Sequence, residues 1–212
     1  MIGYFVKHYD MLMGAFDEHL VLVGVILLLS IAIAAVLSYV LIPHQRATER
    51  VLQVFGAIYS IPSLALFALL IPVFGLGNKT AIPVLVTYNQ YLLLRNFLTG
   101  LTQVEPGIIE AAVGMGMSRW QVTWWVRVPL ALPAIISGIR LSIVSTTGIA
   151  TIAAAIHAGG LGTVLFSGLR TMNTYKLAWG TILCMVIALS ADIILRLLER
   201  REKRVYEGDQ DI

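Results

Sequence analysis

His8, His19, His44 and His157 are too scattered to form an HExxH motif or a Cys/His metal cluster. The single cysteine, Cys184, lies in an apolar run with no disulfide partner. No GxxxxGK[ST] phosphate cradle is present, so the chain does not hydrolyse ATP in the P-loop manner. No Asp or Glu pair is spaced for acid–base work inside the apolar segments. The chain is therefore expected to carry no catalytic residue and no metal site. What remains is the chemistry of contact, concentrated in a polar island at 105–129, EPGIIEAAVGMGMSRWQVTWWVRVP. Pro106 suits the first position of a helix, and Gly114 and Gly116 suit its end. Ser118 and Gln121 have capping-box spacing for a second helix, with Pro129 near that helix's end. Two short helices joined by a sharp turn are expected.

The island has two readings. As a surface hairpin it is held by Trp120, Trp124 and Trp125, a residue type that favours the membrane–water interface. As a docking element it rests on residues 110–117. There small alanines allow close helix approach, Met115 and Met117 offer adaptable apolar contact, and Glu110 can meet a basic partner or Arg119.

The elements that must position this island are membrane spans. The chain is 58% hydrophobic and 13% charged, against about 25% charge in a soluble domain. Five apolar stretches approach the ~20 residues needed to cross a bilayer: 20–42, 51–74, 81–101, 133–156 and 177–198. Pro62 and Pro72 should kink or locally open the second. The expected organisation is an amphipathic leader at 1–19 forming a short surface helix outside, a transmembrane domain at 20–198, and a charged cytoplasmic tail at 199–212. With the island inside, eleven Lys and Arg residues flank the inner side and four the outer. That bias predicts an outside N-terminus and a cytoplasmic C-terminus. The basic residues form no face suited to nucleic acid.

Polar residues within spans are expensive in lipid unless satisfied. Tyr88, Asn89, Gln90 and Tyr91 fall mid-span in the third stretch, and Ser142, Ser145 and Thr146 share one helical face of the fourth. Tyr88, Asn89, Gln90, Ser142, Ser145 and Thr146 are candidates for a translocation path, with interhelical hydrogen bonding as the alternative for any one of them. Asp192 and Arg196, four apart, suit an ion pair. Arg95 and Arg140 are expected to snorkel to the inner surface.

Glu110-Ala111-Ala112, Gly116 four positions later and Val126-Arg127-Val128-Pro129 resemble the EAA loop of ABC importer permeases. Val126 and Val128 stand where that family usually has Ile and Leu. The strings at 59–66 and 71–77 are similar to the branch that imports glycine betaine, carnitine, choline and related osmoprotectants. That branch also often has a stretch like 154–162, usually with glycine at the place of His157. His157 either tunes an outer gate or is a surface substitution.

The resemblance implies an all-α integral membrane protein, a type I ABC importer permease with about five transmembrane helices and a cytoplasmic coupling-helix pair. It implies a multi-pass subunit of a prokaryotic cell membrane, forming the path for a small osmoprotectant, with no cofactor in this chain. Its implied partners are membrane lipid, a second permease copy or paralogue, an ABC ATPase binding ATP and Mg²⁺, and an extracytoplasmic substrate-binding protein. Glu110, Ala111, Ala112, Met115, Gly116 and Met117 become the ATPase-coupling residues. The rivals are a permease for an amino acid such as methionine, which the 59–77 string disfavours, and an ATPase-independent channel or scaffold. The channel lacks a charge-lined or carbonyl filter signature.

Overall fold

The computed structural model describes residues 1–206, all helix and connecting turn. A short helix α1 (Ile2–Lys7) leads into α2 (Tyr9–Leu41), 33 residues long. At 1.5 Å per residue α2 spans about 50 Å, well beyond ~30 Å of hydrocarbon. The expected boundary at residue 19 does not exist. Most of the leader is the first part of the first span's helix, because nothing between Tyr9 and Leu41 breaks it.

The stretch 51–74 is not one kinked span. It divides into α3 (Gln45–Tyr59) and α4 (Ser63–Phe74), bent by 96°. Pro62 caps α4 with extended geometry, φ −57° and ψ 130°. A proline donates no amide and pushes the residue before it out of the helical region, so the chain opens at residues 60–62.

Helix α5 (Asn78–Thr102) occupies the centre, packed on α2, α3, α4 and α8. Three helical segments are individually long and apolar enough to cross a membrane, and the bent α3–α4 pair counts as a fourth. The 25-residue α5 is long enough but too polar to count alone, because its polar groups face other helices.

After the island, the chain does not stop at Pro129. A short α7 (Arg119–Gln121) passes through a π-helical turn (Val122–Arg127) into α8 (Val128–Ala153), giving one segment of 38 residues from Arg119 to Ile156. Within that turn the Val128 amide donates to the Thr123 carbonyl, five residues back. The widened ladder ends where Pro129 withholds its own N–H, so the proline is absorbed without a break. Small residues then let α5 and α8 approach closely: a Cβ on Gly138 would stand 2.7 Å from that of Asn96.

A short helix α9 (Leu161–Arg170) precedes the last span, α10 (Thr174–Tyr206). Of the expected tail, 199–206 continues α10, and 207–212 lies outside the described residues. Arg140, expected to snorkel, is engaged within the bundle. It ties α8 to α10 through Asp192 at 3.4 Å and Glu199 at 3.1 Å. Asp192 also holds Arg196 at 2.7 Å, the ion pair its spacing suggested.

Candidate coupling hairpin and translocation face

The island folds as α6 (Pro106–Gly114), a tight turn and α7. Pro106 sits in the first turn of α6. Beyond Met115 the chain closes a Schellman-type stop: the Met117 amide donates to the Ala112 carbonyl (3.2 Å) and the Gly116 amide to that of Val113 (2.9 Å). Gly116 carries the left-handed conformation this requires, φ 85°. Ser118 and Gln121 form the reciprocal capping box, with bonds of 2.8 and 3.3 Å. At the base of the hairpin, Arg127 Nη1 donates to the Leu101 carbonyl at 2.6 Å, closing the loop on the end of α5.

These local bonds decide which side chains face outward. Met115 is 75% exposed and Val113 57%, and Ile108, Glu110, Ala111 and Gly116 are exposed beside them. Ala112 is turned inward: it is the buried residue of α6, where that helix packs on the π-helical turn. Met117 is half-buried and lines an apolar groove of about 510 Å³ with Tyr39, Ile42, Ile109 and Val113. Glu110 forms no ion pair with Arg119 or any other described residue. Ile108 and Val113 extend the exposed apolar surface beyond the expected set. Trp124 and Trp125 are exposed on the turn, while Trp120 meets the Tyr39 ring at 5.6 Å, touching the hairpin to the inner end of α2.

The six polar residues expected along a path divide into two groups. Asn89, Gln90, Ser142 and Thr146 are buried inside the chain. Asn89 Nδ2 donates to Thr146 Oγ1 (2.9 Å) and Ser30 Oγ (3.3 Å), and Gln90 Nε2 donates to the Ser30 carbonyl (3.2 Å), joining α2, α5 and α8. Ser142 Oγ has no hydrogen-bond partner among the described residues and stands outside this network. Tyr88, also buried, and half-buried Ser145 reach the α3–α4 break: Tyr88 OH donates to the Ile61 carbonyl (2.5 Å), and Ser145 Oγ lies 3.4 Å from Tyr59 OH.

At the end away from the hairpin, two further contacts had no sequence signal. Glu18 Oε2 accepts from the Gly160 amide at 2.8 Å, and buried His19 contacts the Thr147 carbonyl through Nε2 at 3.2 Å. His157, exposed, takes a left-handed conformation (φ 65°) where the loop turns, and the preceding Ile156 carbonyl accepts from Gly77 at 2.7 Å.

Comparison with known proteins matches residues 26–204 to the family described as binding-protein-dependent transport system inner membrane component. The chain belongs to this family. It is a membrane transport subunit rather than an enzyme, and ATP hydrolysis in the family belongs to a separate subunit. It is 36% identical over 187 residues to the osmoprotectant import permease protein OsmW of Salmonella typhimurium, covering 86% of this chain and 87% of that one. The carnitine transport permease protein OpuCD of Listeria monocytogenes is 32% identical over 201 residues, 94% of this chain and 90% of its own. The inward-facing MetNI methionine ABC transporter shares the fold, with a TM-score of 0.82 at 22% identity over 91% of this chain and 96% of that one.

Proposed function

We propose that this permease forms, with a second permease copy or paralogue, the path for a small osmoprotectant such as glycine betaine, choline or carnitine. Its coupling surface is Ile108, Glu110, Ala111, Val113, Met115, Gly116 and Met117, presented to an ATPase subunit that binds ATP and Mg²⁺. An extracytoplasmic binding protein delivers the solute to the opposite face. The N-terminus lies outside and the C-terminus in the cytoplasm, as the excess of basic residues on the hairpin side favours. The observation that carries the coupling role is an apolar surface standing exposed on a hairpin locked by its own caps. Relatives named for osmoprotectant and carnitine transport support the solute class.

The path wall runs along the broken α3–α4 pair, which Tyr88 of α5 and Ser145 of α8 tie to the helices behind it. Switching between inward and outward access needs contacts with the ATPase that differ between the two states. Met115→Asp tests the coupling role, because so exposed a side chain contributes nothing to the chain's own core. Burying a methionine contributes about 1.5–3 kcal/mol, and 1.4 kcal/mol is a factor of ten. The variant should insert normally yet retain its ATPase about tenfold or more weakly on copurification, with solute uptake falling alongside. Unchanged copurification and uptake would refute the coupling role.

A further inference from the structure

Helix α3 belongs to a bent spanning pair but has no buried residue, so one side of it faces something other than this chain. Three tyrosines gather where it meets α5. The Tyr59 and Tyr91 ring centroids are 5.3 Å apart, and those of Tyr59 and Tyr88 are 5.6 Å apart. The Tyr91 ring lies against α3 at Gly56, where a Cβ would stand 3.1 Å from Cε2, so the absent side chain makes its seat. Beside it is an open depression of about 310 Å³ lined by Leu52, Gln53, Gly56, Tyr91 and Arg95. Arg95 Nη1 donates to Tyr91 OH at 3.2 Å, which fixes the guanidinium at the phenol end of the ring. Arg95 is exposed at this depression, and no described carboxylate pairs with it. An exposed guanidinium with no carboxylate partner of its own is open to an anion.

Aromatic faces attract a quaternary ammonium, and a guanidinium fork binds a carboxylate. Both stand at one depression. We propose that this depression is a transient seat in the path for zwitterions carrying both groups, with the Tyr91 ring, backed by Tyr59, holding the ammonium and Arg95 the carboxylate. The proposal rests on the osmoprotectant reading above and sharpens it. Glycine betaine and carnitine carry both groups, whereas choline has a hydroxyl where the carboxylate would be, so Arg95 sorts one kind of solute from the other.

The test is uptake of radiolabelled glycine betaine and choline by the complete transporter, with its ATPase and binding protein, in proteoliposomes. Arg95→Gln should lower betaine uptake about tenfold and leave choline within about twofold, whereas Tyr91→Leu should lower both. Arg95→Lys, which keeps the charge but loses the fork, should fall between wild type and Arg95→Gln for betaine. Equal loss of both solutes in Arg95→Gln, or no change in either, overturns the seat. So does a wild type that carries choline alone. If wild type carries betaine alone, equal losses in Arg95→Lys and Arg95→Gln overturn it. A wild type that carries no osmoprotectant refutes the underlying solute class instead.

Discussion

His157 shows how one side chain can sit against its own backbone. Its φ of 65° falls where a Cβ crowds the following carbonyl, a cost of about 1–2 kcal/mol that glycine escapes. Part of that gain is lost to the greater freedom of glycine in the unfolded chain. His157→Gly should therefore stabilise the protein by about 0.5–1 kcal/mol, seen as a rise in Tm of about 1–3 °C in detergent. An unchanged or lower Tm would mean that the imidazole makes a compensating contact in the assembled membrane protein. Arg140 is the opposite case, a polar side chain fully engaged by its surroundings. Arg140→Gln removes charged bonds to Asp192 and Glu199 that link two spans, and should cost about 2 kcal/mol. The check is thermal unfolding, with Tm expected to fall by about 4–8 °C.

Among the elements, the hairpin was legible because its determinants are local: a proline start, a left-handed glycine stop and a Ser–Gln box lie within sixteen residues of one another. Ser118→Ala should remove about 1 kcal/mol from the second helix's start. Faster hydrogen exchange at the Gln121 amide, which loses its side-chain acceptor, would report it. The spans were also legible as apolar stretches, but their shapes were not. Pro62 announced a disturbance, yet the 96° turn depends on Leu66 and Phe67 being drawn into the core beyond it. Pro129 read as a stop because no local pattern signals a π-helical turn that tolerates it. The partners of Arg140 lie more than fifty residues away and left no mark on its neighbours in sequence. Tyr59 beside Tyr91, thirty-two residues on, and Glu18 on the Gly160 amide likewise left no local mark.

At the scale of the whole molecule, the polar layer of Ser30, Asn89, Gln90 and Thr146 and the small-residue contact at Gly138 bind α2, α5 and α8 into one block. The α3–α4 pair lies beside that block with little of its own surface covered, α3 having none buried. The unbroken run from Arg119 to Ile156 connects the hairpin at one end of the block to the outer loops at the other. A helix turns about 100° per residue, so this run works like a keyed shaft. Its residue count sets the compass bearing of Met115 relative to Thr146 and Arg140. The π-helical turn carries the odd residue in that count. The bearing of the hairpin is thus stored in the number of residues along the shaft, a quantity that substitution leaves alone and a single insertion or deletion resets.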